Sequence, residues 1–373
     1  MSLVKNVLQP PLPGGRGSVL SRARQQAVFL LLFSLLVGGS VSCSKNSGTI
    51  DASDLRPFRP IPEALPAKSN AATEAKVALG RLLYYEPRLS KSQTISCNTC
   101  HKLDAYGVDG EPTSDGHMGQ QGDRNSPTVY NAAGHFVQFW DGRAPDVEEQ
   151  AKGPILNPVE MAMDSEEDVV VVLRSIPEYV DAFKRAFPGE KNPVTFDNAA
   201  QAIGAFERGL VTPSRWDRFL RGDRNALTSE EQAGFKTFTS VGCQACHMGA
   251  FVGGSIYQKL GVYDPWPDSK DPGRYKVTQN EGDWMIFKVA SLRNVEKTGP
   301  YFHNGKVQTL EEAVSLMADH QLGRKLKESE VKAILAWLKT LTGEIPTEYI
   351  KPPALPASTS ATPPPNRSLH TAD

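Results

Sequence analysis

The amino-acid sequence predicts a mainly α-helical protein that contains an internal repeat. Apolar residues recur at helical spacing in several stretches, whereas stretches with strand periodicity are scarce. The predicted helices cover 72–85, a stretch that begins at Ser165, 196–210, 228–238, 310–318 and 328–341. The motif C-x-x-C-H occurs twice, at 97–101 and at 243–247, and each copy follows one of these helices. A long segment punctuated by Gly and Pro follows each copy, so the same arrangement occurs twice along the chain.

Local signals, taken in chain order, support the individual helices. The first helix has aliphatic residues near helical spacing between 77 and 83. The helix that begins at Ser165 has three acidic residues in its first turn, which complement the helix dipole. These flanks favour helix over strand for the β-branched run 169–173. The sequence Thr-Ser-Glu-Glu at 228–231 is a helix-capping signature, and it leads the chain into the second C-x-x-C-H motif.

The repeated C-x-x-C-H motif is typical of covalent haem attachment. The two thiols add to the haem vinyl groups, and the adjoining His ligates the iron. The two sets are Cys97, Cys100 and His101, and Cys243, Cys246 and His247. A zinc site or a pair of C-x-x-C disulfides would use the same cysteines, but neither has a need for the His that follows both copies. The sequence therefore predicts two cytochrome c-like domains, each wrapped around one covalently attached haem, in a protein that handles electrons.

The N-terminal segment 1–42 has the order of an export signal peptide. Arginines precede the apolar run 28–37, which is too short to cross a bilayer comfortably, and small residues follow it. Bacteria attach c-type haem outside the cytoplasmic membrane, so an export signal agrees with the two haem motifs. We therefore expect a periplasmic or outer-surface location.

Cys43 lies directly after the expected cleavage point of this signal peptide. It is either an incidental unpaired cysteine or a lipidated N-terminal residue. The Leu that usually stands three residues before a lipidated Cys is absent. Lipidation would make the protein a membrane-anchored lipoprotein with a soluble catalytic body.

The body of the chain is long enough for two domains. We predict a linker at 43–68, an N-terminal cytochrome c domain at 69–215, a C-terminal cytochrome c domain at 216–350 and a Pro-rich tail at 351–373. Because 44–68 and 351–373 are rich in Pro, Ser, Ala and Thr and poor in periodic apolar residues, we expect neither segment to be ordered. The formal net charge of −1 gives no reason to expect nucleic-acid binding.

Several longer strings accompany the two motifs. They are GVDG at 107–110, RNSPT at 124–128, FWDGRA at 139–144, EQAKGP at 149–154, SLRNV at 291–295 and PYFHNGK at 300–306. With these strings the chain, from about 72 to 343, closely resembles the bacterial dihaem cytochrome c peroxidases. The resemblance implies a low-potential N-terminal haem at which peroxide reacts and a high-potential C-terminal haem that receives electrons. The chain departs from the family at its two ends and at 253–284.

The distal ligands of the two irons decide function, because an iron with a vacant position can bind substrate. In the second half, Met248 is adjacent to the proximal His and cannot reach the opposite haem face. Met285 and Met317 remain as candidates, although a Met on an apolar helix is more often a core residue. The resemblance implies that Met317 is the axial ligand, and His/Met ligation raises the reduction potential.

For the first haem, the candidate distal ligand is His117. A lone His in a Gly-containing loop is more often a surface residue. The resemblance implies instead that His117 is a displaceable ligand, which leaves the iron when the partner haem is reduced and so opens the iron to peroxide.

Peroxide cleavage also needs a carboxylate that moves a proton between the two oxygens. Glu160 has apolar neighbours, and we expect Glu148 and Glu149 to be exposed. Alone, Glu160 would suit a cap or an ion pair, but the resemblance implies that it is the catalytic acid–base. It also implies that Gln150 orients peroxide and that Trp140, otherwise an ordinary core residue, lies on the electron path between the haems.

The resemblance further implies a Ca²⁺ site between the domains, formed by Asn125 and the backbone carbonyls of Thr298 and Pro300. Amide and carbonyl oxygens are suitable hard ligands, with waters completing the shell.

The leading hypothesis is an exported enzyme that reduces hydrogen peroxide to water with electrons from a small cytochrome c or a copper protein. We also expect a homodimer. A dihaem electron carrier with two six-coordinate irons is a second hypothesis. A dihaem oxidase of protein side chains is a third, although related oxidases have Tyr where this chain has Met317.

Overall fold

The computed structural model describes residues 50–65, 67 and 70–369. The α-helices are α1 Glu74–Tyr84, α2 Cys97–Cys100, α3 Val147–Leu156, α4 Glu166–Arg174, α5 Pro177–Ala186, α6 Phe196–Glu207, α7 Arg215–Leu220, α8 Ser229–Val241, α9 Tyr275–Thr278, α10 Leu310–Leu322 and α11 Glu328–Lys339. The strands β1 Tyr257–Lys259 and β2 Ile286–Lys288 pair antiparallel, with Tyr257 opposite Lys288. The predicted mainly α fold class is confirmed.

Every predicted helical stretch corresponds to a helix. Ser165 caps α4 by accepting from the Asp168 N–H, and Thr228 forms the expected capping box at the start of α8. Helix α10 is longer than the predicted 310–318. The apolar pattern weakens towards the end of the helix, but the helix continues until Gly323, which ends it with φ 62°. The sequence analysis missed α3, α5 and α7, and also the single-turn helix α9.

The missed helices carry residues that usually signal turns. Helix α3 contains Pro154 in its last turn, and α5 begins with Pro177 at a position where Pro is well tolerated. Helix α7 lies inside the segment 213–224, where Pro213 and Gly222 interrupt the helical pattern.

The first of two large cores is built from α1 and α3–α6. Helix α1 packs closely on α6, with the ring centroids of Tyr84 and Phe206 5.4 Å apart. Gly80 permits this approach, because an added Cβ would lie 1.9 Å from the carbonyl oxygen of Ala202. The first C-x-x-C-H motif follows α1 and thus starts from a firmly packed support.

The second core repeats this arrangement with α8 and α11. Trp337 on α11 packs against Phe235 and Phe238 on α8, with ring centroids 5.3 Å and 4.5 Å apart. Gly234 permits the close approach, since its Cβ would lie 2.0 Å from the carbonyl oxygen of Ala333. In both halves, therefore, the helix before the haem motif meets a later helix at a Gly-to-Ala carbonyl contact. The boundary at 215/216 stays a prediction.

The segment predicted as a linker contributes to this core, contrary to our expectation. Phe58 is 2% exposed and packs edge-on against Trp216 and Phe235. The N–H of Ile61 donates to Asp217 Oδ1 at 2.7 Å. An extended segment can bury single side chains without any periodic pattern, which is why composition gave no sign of this packing.

The described part of the Pro-rich tail, 351–369, also differs from our expectation. Arg88 donates to the carbonyl oxygen of Pro356 at 2.8 Å, and Asn366 N–H donates to that of Lys91 at 2.8 Å. Proline has no backbone N–H, but its carbonyl oxygen can still accept a hydrogen bond. Donors on the rest of the protein can therefore hold this extended segment without a β-sheet.

A buried ion pair joins α7 to the loop after β2. Arg293 donates to both carboxylate oxygens of Asp217, at 2.7 Å and 2.8 Å, and both side chains are almost fully buried. Burial raises the pKa of Asp217, but Arg293 and two backbone N–H groups outweigh it, so the pKa lies below its ordinary value. Arg293 also donates to the Ala250 carbonyl, close to the second motif.

In the described residues, no helix combines the length and the apolar character that crossing a membrane would require. The predicted signal peptide and Cys43 lie outside the described residues.

Asp217→Asn should destabilise the protein by about 3–5 kcal/mol, because it leaves the Arg293 charge buried and uncompensated. Denaturant unfolding of the haem-loaded chain checks this. Asp181→Asn is the matched control, since Asp181 pairs with Lys184 on the surface and should cost at most about 1 kcal/mol. Equal midpoints for the two variants would contradict the assigned role of the buried pair.

Candidate functional site

A cavity of about 750 Å³ extends between the two halves and meets both C-x-x-C-H motifs. Its lining includes every predicted site residue except His117. These are Cys97, Cys100, His101, Asn125, Trp140, Gln150, Glu160, Cys243, Cys246, His247, Thr298, Pro300 and Met317. Residues that are far apart in the sequence are thus brought together around one largely apolar space.

The first motif forms the short helix α2, capped by a reciprocal pair of hydrogen bonds between Ser96 and Thr99. The N–H of His101 donates to the Cys97 carbonyl at 3.0 Å, which fixes the turn. Burial lowers the pKa of His101, so the imidazole is neutral at pH 7. Its buried Nδ1 atom has no hydrogen-bond partner.

The second motif starts where Gly242, with φ 111°, ends α8. The N–H of His247 donates to the Cys243 carbonyl at 3.0 Å, as in the first motif. Its Nδ1 lies 3.4 Å from the Val252 carbonyl, which can only accept, so Nδ1 carries the proton and Nε2 is left as a metal ligand. Burial lowers the pKa of His247 to about 4, which keeps the ring neutral.

This arrangement fits two covalently attached haems better than zinc or disulfides. The four described cysteines are not in disulfides. Among the described residues, no three His, Cys, Asp or Glu side chains converge to hold a metal ion. Burial raises the pKa of Cys97 to about 12 and that of Cys243 to about 11, so neither is poised as a thiolate ligand. Each motif instead presents two thiols and one neutral imidazole to an apolar space.

Glu160 and Gln150 line the cavity from neighbouring segments. Asn157 Nδ2 donates to Glu160 Oε1 at 2.8 Å and so fixes the carboxyl. Burial raises the pKa of Glu160, and Arg143 and this hydrogen bond only partly oppose the shift. Gln150 lies on α3 and presents an amide, which can both donate and accept, to the same cavity.

The expectation that Glu148 is exposed is wrong. Glu148 is 8% exposed and accepts from Arg208 at 2.7 Å with both carboxylate oxygens, because its face of α3 packs on α6. Glu149 is exposed, as expected, and pairs with Lys152. Glu148 is therefore bound into a structural ion pair.

His117 is fully buried, but its side chain is turned towards the C-terminal tail. Its Nε2 lies 3.0 Å from the Ser368 carbonyl oxygen. Its backbone N–H donates to the carbonyls of Val159 and Glu160, at 2.9 Å and 2.7 Å. A Cβ on Gly116 would lie 1.9 Å from the Val159 carbonyl, so only Gly allows the loop to lie this close to the Glu160 segment. Gly116 lines the cavity and His117 does not.

Of the three methionines considered for the second haem, only Met317 lines the cavity. It lies on α10 and packs partly buried beside Met285, Leu260 and Trp266. Met285 is 4% exposed and sits within this apolar cluster, away from the cavity.

Trp140 connects the two halves. Its Nε1 donates to the Asn125 carbonyl at 2.9 Å, and its own carbonyl accepts from the Lys288 N–H at 2.7 Å. Nearby, Arg124 binds Asp141 of the first half and Asp271 of the second, each at 2.6 Å. The indole N–H of Trp140 therefore binds the first half, and its backbone carbonyl binds the second.

The three predicted calcium ligands all line the cavity. The Asn125 side chain donates from Nδ2 to the Glu111 carbonyl at 3.0 Å, which orients its amide. Thr298 precedes the cis peptide bond that joins Gly299 to Pro300. The calcium site itself stays a prediction.

The sequence analysis missed a basic pair in the cavity. Lys288 Nζ lies 3.5 Å from His135 Nδ1 and donates to the Val137 carbonyl at 3.3 Å. Burial lowers the pKa of Lys288 to about 8. A single Lys in a three-residue strand gives no sequence signal, and the two residues are distant in the chain.

The comparisons with known proteins agree with this site. The family model for di-haem cytochrome c peroxidase matches residues 74–225. A cytochrome c551 peroxidase of Pseudomonas aeruginosa is 48% identical over 316 residues, which cover 83% of this chain and 90% of that protein. The chain belongs to the di-haem cytochrome c peroxidase family.

A second member, a cytochrome c551 peroxidase of Nitrosomonas europaea, is 46% identical over 335 residues, covering 89% of this chain and 96% of that protein. A solved MauG-like protein associated with microbial copper homeostasis has a TM-score of 0.71 and 28% identity, covering 79% of this chain and 97% of that one. As a di-haem peroxidase of this family, the chain binds two haems c and reduces hydrogen peroxide.

Proposed function

We propose that peroxide reacts at the haem of the first motif and that electrons enter at the haem of the second motif. The observation that supports this division most strongly is the placement of the side chains. Glu160 and Gln150 lie in the first half, and Met317 lies in the second, yet all three line one cavity. A small cytochrome c or a copper protein donates single electrons.

Cys97, Cys100 and His101 would hold the first haem, which would supply an iron for peroxide binding and electron uptake. The overall reaction takes hydrogen peroxide, two electrons and two protons to two waters. Glu160 takes the proton from the near oxygen of peroxide and returns it to the leaving oxygen. Asn157 holds the carboxyl in place for this transfer, and Gln150 orients the substrate by hydrogen bonding.

Trp140 provides the path for electrons between the two haems. Its indole N–H binds the Asn125 carbonyl in the first half, and its backbone carbonyl accepts from Lys288 in the second, so the residue is fixed at the junction. His117 is the candidate sixth ligand of the first iron, and Met317 that of the second, where a thioether raises the reduction potential.

Calcium stabilises the junction between the halves through Asn125, Thr298 and Pro300. The N-terminal segment directs export to the periplasm or the outer surface, and Cys43 is the candidate for a lipid anchor. The active form is a homodimer.

The second candidate function is an electron carrier with two six-coordinate irons. The half-buried Glu160, with its raised pKa and cavity position, favours the peroxidase, because an electron carrier has no use for a proton shuttle. The third, oxidation of protein side chains, is disfavoured by Met317.

Glu160→Gln should lower peroxide turnover by roughly 10²–10⁴-fold, because the amide keeps the size but cannot shuttle a proton. Steady-state turnover with a reduced cytochrome donor checks this, with both haems bound and reducible. Glu149→Gln, on the exposed face of α3, is the matched control and should retain near-normal turnover.

The pH profile gives a second readout of the same variant. Glu160 acts first as a base, so turnover should fall as the pH drops through its pKa, which lies above that of an ordinary Glu. This acid limb should vanish in Glu160→Gln. Normal turnover by this variant would refute the acid–base role.

Met317→His should lower the midpoint potential of the second haem by a substantial part of the roughly 0.8 V range that axial ligands set. Imidazole is the stronger donor to ferric iron, so electron entry should also slow. Redox titration measures the two potentials, and Met285→Leu is the control that should change neither. Two unchanged potentials in Met317→His would show that Met317 is not the ligand.

Removal of Ca²⁺ by a chelator should reduce activity without releasing either haem, because the ion ties the halves together and holds neither ring. Activity and covalent haem content are measured before and after exhaustive chelation, and added Ca²⁺ should restore the rate. A rate that stays constant in calcium-free buffer would argue against the Asn125 site.

A further inference from the structure

We propose that the C-terminal tail, 351–369, is a latch that holds His117 away from the first haem. Its Ser368 carbonyl is the positioning group. The first iron then keeps an open distal position whatever the oxidation state of the second haem. This inference rests on the proposed function in one respect: it takes His117 as the side chain able to close that position.

The tail is first fixed to the body by Arg88. The guanidinium donates to the Pro356 carbonyl at 2.8 Å and to Ser358 Oγ at 3.0 Å. Arg88 is itself held by Glu86, which is fully buried and accepts at 2.7 Å and 2.6 Å. The donor is thus rigid, and the tail binds to a preformed site.

Further contacts continue along the tail. Thr359 Oγ1 donates to the Ser175 carbonyl at 2.8 Å, and Ser175 Oγ donates to Thr362 Oγ1 at 2.9 Å. Gln93 Nε2 donates to the Pro363 carbonyl at 2.9 Å. The tail therefore follows the first half over its length, and its position is set before it reaches His117.

The last contacts place the Ser368 carbonyl. Asn366 N–H donates to the Lys91 carbonyl at 2.8 Å, and the Lys91 N–H donates to Met161 at 2.8 Å, next to Glu160. Asn366 Oδ1 accepts from the Ser368 N–H at 2.9 Å, which forms a local turn. This turn presents the Ser368 carbonyl to His117 Nε2 at 3.0 Å.

The chemistry of this contact opposes iron ligation. A carbonyl oxygen only accepts, so Nε2 must carry the proton and has no lone pair for a metal. The other nitrogen, Nδ1, is buried without a hydrogen-bond partner. For Nε2 to reach the iron, His117 must lose Ser368 and change tautomer.

The His117 loop lies beside the cavity. Gly116 lines the cavity, and the backbone of His117 is bonded to the Val159 and Glu160 carbonyls. The latch therefore decides between two positions of one side chain.

The test compares the oxidised, haem-loaded full chain with two truncations. One ends at Pro365 and removes Ser368. The control ends at Leu369 and keeps it. Electron paramagnetic resonance measures the spin state of each ferric haem. We expect a high-spin first haem in the full chain and in the control, and conversion of most of that signal to low spin when the chain ends at Pro365. Adding His117→Gly to the shorter chain should restore the high-spin signal.

Haem content by pyridine haemochrome confirms that each variant carries both haems. If the shorter chain does not load them, Asn366→Pro in the full chain replaces it. This change removes the N–H that binds Lys91 and the Oδ1 that accepts from Ser368, and it keeps the residues that bind the tail between 356 and 363. It should also raise the low-spin fraction. A spin state unchanged in this variant would overturn the proposal.

Two other results would also overturn the latch. One is a low-spin first haem in the oxidised full chain that His117→Gly converts to high spin. The other is an unchanged high-spin signal after truncation at Pro365. The protein could also show the expected conversion to low spin on truncation and yet fail to turn over peroxide. That result would support the latch and reject the proposed function.

Discussion

The structure depends on an apolar cavity that side chains alone do not fill. Both C-x-x-C-H motifs line this cavity of about 750 Å³, and the loops that follow them wrap around it. Haem groups thus replace the side chains that would otherwise form the centre of each half. Two close helix contacts, at Gly80 and Gly234, fix the supports from which the motifs start. Burial keeps both proximal histidines neutral, which is the state that ligates iron.

Sharing one cavity places two kinds of chemistry side by side. The first half contributes a carboxyl whose pKa burial raises, and the second contributes a thioether. Trp140 lies at their junction and is bonded to both halves. Arg124, which binds an Asp from each half, holds the same junction with charge. Proton transfer and electron delivery can therefore be tuned by separate residues although they serve one reaction. The tail adds a third element, which acts on His117 alone.

Much of this was predictable from the sequence, because the motifs carry their own geometry. C-x-x-C-H predicted the haem sites, and capping signals at Ser165 and Thr228 predicted helix starts. What could not be predicted depends on contacts between distant segments. Glu148 looks exposed in sequence, but α6 covers it. The segments around Phe58 and in the tail have no periodic apolar pattern. An extended segment can pack against the protein without one. Lys288 and His135 meet only because β2 lies beside the 135–138 loop.

The central claim is that electrons received in the second half are consumed by peroxide in the first half. The most direct measurement mixes the purified protein with a reduced small cytochrome c and limiting hydrogen peroxide, and counts donors oxidised per peroxide consumed. The account predicts two donors per peroxide, with oxidation that stops when peroxide is exhausted. A protein whose haems both exchange electrons with the donor, while peroxide remains unconsumed, would contradict it.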